Sequence, residues 1–196
     1  MTGLARTGEA EDLGRRGAWR FTREYHVEPE LALVFHELYE TAFGPLRVQA
    51  LARQVLTESE FYAQMADGSV MKYVAWNDDD HPVGLCTLTR RLDTVPWISP
   101  EYFAHRYPDH WQRNAIWYFG FVLVHPSERR SRFVDQLIDV GIGELVEQHA
   151  ICAWDMCSHN DTTLGMGARL IESFARLTGV AARLADTQNY YTLDLT

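Results

Sequence analysis

The sequence predicts a single α/β domain with one central mixed β-sheet of six to seven strands, flanked by about four helices. Two segments with helical apolar spacing come first, and a strand, a tight turn and a second strand follow them. The second half alternates strands with helices. A hairpin requires antiparallel pairing, whereas strand–helix–strand units require parallel pairing, so the sheet is mixed. Because no repeat or linker divides the chain, residues 19–196 are predicted to form one domain.

The composition limits the classes of partner. The chain has 196 residues, of which 46% are hydrophobic, and this is enough to bury a core without disulfides or a structural metal. The formal net charge of −9 argues against nucleic acid and membrane surfaces, because both bind a broad basic face. No apolar run approaches the roughly 18 residues of a membrane span. One short basic run, residues 129–132, interrupts the acidic background and suits a small anionic ligand.

The cysteines and histidines give a prediction of the cellular compartment and argue against a metal site. The three cysteines have no C-x-x-C spacing, which predicts a reducing, cytoplasmic compartment rather than a disulfide framework. The first residues lack the apolar core of a secretory signal. The histidines are scattered without the spacing that brings ligands together, so no metal site is predicted.

The first part of the chain is predicted from its apolar spacing. Residues 1–18 are charged and Gly-rich, and we interpret most of them as a flexible tail. Apolar residues recur at steps of three and four from Glu30, which predicts a helix that ends near Gly44. Residues 57–60, Thr-Glu-Ser-Glu, form a capping box that begins a second helix, and this helix ends near Met65.

A hairpin, a long excursion and a central strand follow. Residues rich in β-branched and aromatic types predict strands over 70–76 and 82–89, joined by a tight turn. Residues 92–114 contain three prolines and no clean period, which predicts a long ordered loop of the kind that forms lids or substrate walls. The continuous apolar run 115–124 predicts a central strand that is covered on both faces.

Helices and short strands alternate after the central strand. We predict a helix over 133–148, a strand over 151–157, and a helix over 168–178 that a glycine closes. Two closing strands are predicted at about 180–184 and 190–195.

The stretch FVLVHPSERRSRFVDQLI, which begins in the central strand, resembles the cofactor-binding segment of the GCN5-related N-acetyltransferases (GNATs). The usual motif there is V-x-P-x-x-R-G-x-G-x-G-x-x-L. The positions that match it are Val124, Pro126, Arg129 and Leu137. The downstream order of strand, asparagine, helix, glycine and two strands is also similar. The resemblance covers the chain from about residue 28 to residue 195 and implies the GNAT fold.

The resemblance implies acetyl-CoA or another acyl-CoA as co-substrate. In that family the splayed end of the strand offers backbone groups to the pantetheine arm, and the following turn and helix N-terminus bind the pyrophosphate. Carried over by position, the cofactor-binding residues are Val122, Leu123, Val124, Arg129, Arg130, Ser131, Arg132, Phe133 and Asn160. The motif's glycines are replaced by Arg130, Arg132 and Val134, which puts a Cβ where backbone approaches phosphate. The added arginines can compensate through charge-assisted hydrogen bonds.

The usual catalytic residues of the family are absent. The tyrosine four residues before the closing glycine is Ala175 here, and the central strand carries no glutamate. Two substitutes are predicted. Tyr118 can direct its phenol toward the reaction cleft, or it can be a buried structural tyrosine. Asp155 lies in an otherwise apolar strand, where a raised pKa would make it a base, unless it is solvated or paired. Cys157 is better explained as a small buried hydrophobe than as a nucleophile.

Aromatic residues of the excursion are the best candidates for substrate contact. They alternate with polar residues, a pattern that occurs both in small-molecule pockets and in dimer contacts. The candidates are Trp97, Tyr102, Phe103, Tyr107 and Trp111.

The predicted function is an N-acetyltransferase or other acyltransferase that moves an acyl group from acyl-CoA to an amine of a small molecule or peptide. Such an enzyme works mainly by positioning, with a backbone N–H near Leu123 polarising the thioester carbonyl. Two alternatives stay open: a catalytically silent GNAT-fold module that binds a ligand or partner, and an acyltransferase that uses a carrier-protein thioester. The resemblance also implies a homodimer.

Overall fold

One six-stranded sheet organises the computed structural model, which describes residues 10–128 and 132–196. The strands lie side by side in chain order, and each neighbouring pair is antiparallel except the last, which is parallel. The strands are β1 (Ala10–Arg16), β2 (Trp19–Glu24), β3 (Val70–Trp76), β4 (Pro82–Thr89), β5 (Ile116–Val124) and β6 (Ile151–Ala153). The α/β class and the mixed sheet are therefore confirmed.

Six α-helices occur in the described ranges, two more than the four predicted. They are α1 (Pro29–Phe43), α2 (Glu58–Ala66), α3 (Pro100–Arg106), α4 (Pro108–Gln112), α5 (Phe133–Glu147) and α6 (Met166–Thr178). The capping box forms as predicted, with the Glu60 N–H donating to Thr57 Oγ1 and the Thr57 N–H donating to the Glu60 carboxylate. None of the described helices combines the length and the apolar content that a membrane span requires.

The sheet is covered on both faces. On one face, α5 and α6 pack over a first cluster that includes Trp117 and Phe119 of β5. On the other face, α1 and α2 pack over a second cluster that includes Phe121 and Leu123. The excursion between β4 and β5 covers a third cluster around Ile116 and Tyr118. The central strand therefore contributes to all three clusters, as its continuous apolar sequence predicts.

The N-terminal part of the chain corrects the prediction of a tail over residues 1–18. Residues 10–16 form β1, which pairs with β2; residues 1–9 lie outside the described ranges. The side chains of β1 are mostly exposed, and ion pairs such as Arg16 with Asp139 and Glu11 with Arg23 attach it to its neighbours. Because backbone pairing and charge hold this strand, its sequence lacks the apolar alternation that would have revealed it.

The excursion is helical where the sequence predicted an irregular loop. Pro100 and Pro108 each stand at the first position of a short helix, where a missing N–H costs nothing, and Ser99 caps α3. The prolines therefore begin helices here, although they were interpreted as interruptions.

The chain after β5 also departs from the prediction in two places. The strand predicted over 151–157 ends at Ala153, because β6 then separates from its only parallel neighbour. The closing strands predicted at 180–184 and 190–195 do not form: residues after α6 are without regular structure and almost entirely exposed. Gly179 closes α6 in the left-handed conformation, as predicted.

A β-bulge in β5 changes the side of the strand to which its backbone N–H and C=O groups point. Cys86 pairs with Val122, but Leu88 pairs with Phe119, so Gly120 and Phe121 together stand opposite Thr87. The Phe121 N–H donates to Thr87 Oγ1 over 3.1 Å. A Cβ on residue 120 would lie 2.5 Å from the same oxygen, which explains the glycine.

The bulge generates a first testable prediction. Replacing Gly120 with alanine should lower the free energy of unfolding by about 1–3 kcal/mol, because the new methyl group overlaps Thr87 Oγ1 or displaces the hydroxyl from the Phe121 N–H. Urea denaturation of the purified protein measures this change.

Gly143→Ala is the matched control. Gly143 is an exposed residue within α5, and no atom lies within 4 Å of the position that a Cβ would take there. Alanine should raise stability there by up to about 1 kcal/mol, because glycine is a poor helix former. Equal effects of the two substitutions would contradict the contact assigned to Thr87.

Candidate active site

A fork opens between the two parallel strands. β5 and β6 are in register from Ile116 beside Ile151 to Tyr118 beside Ala153, and β6 then ends. β5 continues for six residues to Val124, with β4 as its neighbour on the other side. One long edge of β5 therefore faces a gap in the sheet rather than a strand.

The bulge determines which backbone groups face this gap. Phe121 donates its N–H toward β4, to Thr87 Oγ1, and His125 donates toward β4 as well, to the Val83 carbonyl at 2.9 Å. Because successive residues of a strand direct their backbone groups to opposite sides, Val122 and Val124 face the gap. Leu123, which was predicted with Val122 and Val124 to offer backbone groups to the cofactor, directs them toward β4 instead.

The helix that follows the strand begins beside this edge. The first turn of any helix carries N–H groups without intrahelical partners and the positive end of the dipole, which together attract an anion. The carboxylate of Asp135, in this turn of α5, accepts hydrogen bonds from Ser173 and Arg176 of α6, both over 2.7 Å. Its negative charge is therefore paired with an arginine.

Of the five consecutive residues predicted to bind the cofactor after β5, Arg129 to Phe133, the structure describes Arg132 and Phe133; Arg129, Arg130 and Ser131 lie outside the described ranges. Arg132 stands at the N-cap of α5, is exposed and has φ −68°. This φ is an ordinary one for an L-residue, so the backbone here does not need the glycine of the GNAT motif.

Phe133 begins α5 with its side chain in the core. Its side chain is completely buried in the first cluster, against the ring of Trp19 at a centroid distance of 5.1 Å. It also covers Gly84 of β4, where a Cβ would lie 2.4 Å from the phenyl ring. The aromatic ring therefore belongs to the core, and the predicted contact with a cofactor concerns the Phe133 backbone N–H at the start of α5.

The two predicted catalytic residues meet at the base of the fork. Tyr118 of β5 donates its hydroxyl to Asp155 Oδ1, and Trp97 of the excursion donates its indole N–H to both, at 2.8 Å from the Tyr118 hydroxyl and 3.0 Å from Asp155 Oδ1. Tyr118 is buried, whereas Asp155 is exposed as a residue. The Asp155 carboxylate thus contacts the side chains of Tyr118 and Trp97 on one side and solvent on the other.

Burial raises the pKa of Asp155, and the hydrogen bond from Trp97 lowers it and offsets part of that rise. The residue as a whole is exposed, but its carboxylate lies against the tyrosine and tryptophan side chains. A carboxylate with a raised pKa that still meets solvent is suited to accept a proton.

The other candidate residues differ in how deeply they are buried. Phe103 and Tyr107 pack into the third cluster and support the excursion, while Tyr102 and Trp111 are exposed. Cys157 packs against the second cluster, in keeping with a small apolar residue. Asn160, predicted to contact the cofactor, lies in the turn His159–Thr163 that leads from β6 to α6.

Sequence reasoning missed two residues that shape the site. Trp97 donates to both Tyr118 and Asp155, and Asp155 is 58 positions away in the sequence. No local sequence pattern indicates such a contact. Thr87 was also missed, although Gly120 inside an apolar run was a usable sign of a bulge.

Comparisons with known proteins give structural neighbours only. No protein-family model and no curated protein matches the sequence. One neighbour is an aminoglycoside acetyltransferase from an uncultured soil metagenomic sample, solved with trehalose. It is 15% identical in sequence and has a TM-score of 0.51, and the match covers 90% of this chain and 97% of the neighbour's chain. A ribosomal-protein-alanine N-acetyltransferase from Brucella melitensis biovar Abortus 2308 is 16% identical, covers 90% of this chain and 100% of its own, and has a TM-score of 0.53.

These likenesses, at such low identity, concern the fold. Both neighbours are GNAT proteins, and both match over nearly their full length. The strand order, the forked parallel pair and these two neighbours together show that the chain has the GNAT fold.

Proposed function

We propose that the protein is an N-acyltransferase that moves an acetyl or other acyl group from acyl-CoA to an amine of a small molecule or peptide. The observation that carries the proposal is the fork, in which ligand-facing backbone on one arm stands opposite a carboxylate on the other. Val122 and Val124 lie on the β5 arm, and Asp155 follows the β6 arm. The neighbours in structure are N-acetyltransferases, which supports the reaction class.

The residues present suit an acyl-CoA. The backbone of Val122 and Val124 can pair with the pantetheine amides as a missing strand would, and the first turn of α5 with Arg132 can hold the pyrophosphate. Acyl-CoA supplies a thioester, whose carbonyl carbon is open to attack by an amine. Arg132 stands where the GNAT motif has a glycine. Its backbone has an ordinary conformation, so glycine is not needed there for conformational freedom.

The chain's own groups then position the reactants and move one proton. The neutral amine nitrogen attacks the thioester carbonyl, a C–N bond forms, the C–S bond breaks, and the sulfur leaves as a thiolate that takes up a proton from solvent. Asp155 accepts the proton that the amine nitrogen loses, and an outward N–H of Val122 or Val124 can polarise the carbonyl. Holding both reactants in the fork makes the attack effectively unimolecular, so modest acid and base assistance is sufficient.

Tyr118 and Trp97 act through Asp155 rather than on the substrate. The Tyr118 side chain is 2% exposed, and its hydroxyl is already directed at the carboxylate. Two donors that converge on one carboxylate oxygen fix its position and favour its ionised form. We therefore assign both as positioning residues.

The charge of the protein suits an amine acceptor. A net charge of −9 attracts a cation, and a protonated amine would meet the Asp155 carboxylate at the fork. The two structural neighbours are named for acceptors of this chemical kind, an aminoglycoside and a ribosomal-protein alanine. The acceptor of this chain is accordingly proposed as an amine, without restriction to either.

Ligand binding provides the second prediction. Millimolar acetyl-CoA should raise the melting temperature, since a ligand at 100 times its dissociation constant adds about 2.7 kcal/mol to the stability of the folded state. Replacing Arg129 and Arg132 with alanine should abolish most of this rise, because the pyrophosphate loses its charged partners.

Arg15→Ala is the control for the loss of an exposed positive charge. Arg15 lies on β1, at the opposite edge of the sheet, and pairs with Asp78. This variant should keep the full acetyl-CoA shift. A wild-type protein that shows neither a thermal shift nor binding heat with acetyl-CoA would refute acyl-CoA as the donor.

The pH dependence of turnover provides the third prediction. Asp155→Asn should lower kcat/KM by about 100-fold or more, in the range of general-base contributions. The wild-type rate should fall as the pH drops through the raised pKa of Asp155, because only the ionised carboxylate accepts the proton. The rate of free thiol release with a panel of amines, followed against pH, measures both effects.

Trp97→Phe tests the positioning role. It removes a donor to the ionised carboxylate, so the pKa of Asp155 should rise and the acidic limb of the rate profile should move to higher pH. Trp111→Phe, which alters an exposed tryptophan in the same excursion, should leave this limb in place. An unchanged limb in the Trp97 variant, or an Asp155→Asn variant with wild-type rate, would contradict the assigned roles.

A further inference from the structure

A cleft opens at the neck of the excursion, where the chain leaves β4 and returns to β5. Arg90 directly follows β4, and Ile116 is the first residue of β5. The cleft has a volume of about 280 Å³ and is open to solvent. Both ends of the excursion line it, with Arg90 and Leu92 from the outgoing end and Trp111, Asn114 and Ile116 from the returning end.

An aromatic ring holds the cation of this cleft in place. The Arg90 guanidinium carbon lies 4.8 Å from the centroid of the Trp117 ring, and Trp117 is completely buried in the first cluster. Among the residues that the structure describes, neither the Arg90 side chain nor the Trp117 indole N–H has a hydrogen-bond or ion-pair partner. The guanidinium donors lie in one plane, so an anion can meet them as a fork.

Arg90 differs in this respect from the arginines around it. The Arg91 guanidinium donates two hydrogen bonds to the Asp93 carboxylate, over 2.9 and 2.7 Å. Arg113 donates to the Gln148 carbonyl over 3.1 Å. The chain has 27 acidic residues against 18 basic ones, yet none of the described carboxylates pairs with Arg90. This half-buried guanidinium therefore has the charge and the geometry for a carboxylate that the described chain does not supply.

The rest of the cleft suits an apolar group. Leu92 and Ile116, each 3% exposed, belong to the third cluster and form the aliphatic part of the lining. Trp111 adds an aromatic side chain that is partly exposed. Asn114 adds a side-chain amide, which can donate a further hydrogen bond to a carboxylate. Ligand clefts commonly measure about 300–1,000 Å³, so this one fits only a small molecule.

We propose that this cleft binds a small organic carboxylate, such as an aromatic or short-chain aliphatic acid. The carboxylate pairs with the Arg90 guanidinium and the Asn114 amide. The apolar body of the ligand packs on Leu92 and Ile116, beside Trp111. An inorganic anion would use the charge alone, and a neutral amide of the same shape would use the apolar surface alone. Both should therefore bind more weakly than the carboxylate.

Such a ligand joins the two ends of the excursion. The third cluster that it contacts also contains Tyr118, and the excursion carries Trp97, which donates to Asp155. A molecule bound between the outgoing and returning ends stabilises the folded excursion, because the cleft exists only when both ends are in place. We expect the amides of residues 92–114 to open less often when the cleft is occupied.

The fourth prediction concerns the binding of benzoate, the probe for this cleft, in the absence of acyl-CoA. In NMR titrations, benzoate should shift the indole N–H signals of Trp111 and Trp117 in a saturable way. Benzamide, which has the same shape without the charge, and inorganic phosphate should each bind at least about 10-fold more weakly. All three titrations use the unaltered chain, so they do not depend on the folding of a variant.

Variants that remove one charge locate the site. Arg90→Gln should raise the dissociation constant for benzoate by about 10-fold or more, because the carboxylate loses its charged partner. Arg91→Gln is the matched control: it removes the adjacent charge, which pairs with Asp93, and should bind benzoate as the wild type does. Arg132→Ala should also retain binding, because Arg132 lies at the start of α5. Melting temperatures show whether each variant is folded.

Hydrogen exchange tests the link to the excursion. Benzoate should slow the exchange of amides within residues 92–114 in the wild type and should leave them unchanged in the Arg90→Gln variant. Unchanged exchange in a wild type that has bound benzoate would contradict the stabilisation of the excursion.

Four results would overturn the carboxylate site. They are the absence of a saturable shift with benzoate, an equal affinity for benzamide, an equal affinity for phosphate, which would mean an adventitious ion only, and benzoate binding that Arg132→Ala abolishes while Arg90→Gln does not. None of these measurements uses acyl-CoA or follows acyl transfer, so their outcome is separate from that of the proposed function.

Discussion

The contact between Thr87 and the bulge in β5 is the constraint on which the candidate site depends. One threonine oxygen receives the Phe121 N–H and occupies the space where residue 120 would carry a Cβ. The extra residue reverses the alternation of the strand at this point. Without it, Leu123 would direct its backbone into the gap and Val122 and Val124 would direct theirs toward β4. The same reversal moves Phe121 and Leu123 to the side of α1 and α2, so the bulge orients both the ligand edge and the core.

The opposite arm of the fork is organised by side chains instead. β6 contributes only three residues to the sheet, and Asp155 follows two residues beyond its end. A carboxylate on such a short arm needs other groups to fix it, and Tyr118 and Trp97 supply them from β5 and from the excursion. The site thus combines a rigid backbone edge with a carboxylate held by two donors. In a chain without the usual tyrosine and glutamate of its fold class, this arrangement holds Asp155 in the fixed position that the proposed base requires.

The sequence predicted the parts of this structure that depend on local patterns. The capping box at Thr57, the hairpin from Val70 to Thr89, the central strand and the αL glycine at 179 all follow from short-range chemistry. The sequence-based prediction was wrong where contacts between residues that are distant in the chain determine the structure. β1 is held by ion pairs with distant residues, such as that between Arg16 and Asp139. The pairing of Tyr118 with Asp155 was not foreseen, although each was a candidate, because Trp97 joins them only in three dimensions.

The shortness of β6 keeps the fork open. If β6 continued in register with β5 beyond Ala153, the gap that exposes Val122 and Val124 would close, and no ligand could lie there. The strand must therefore end early on its inner side. A three-residue strand that is paired on one side only is a weak element. The early end of β6 therefore leaves Asp155 on a weak arm, which is why the side chains of Tyr118 and Trp97 are needed to fix the carboxylate.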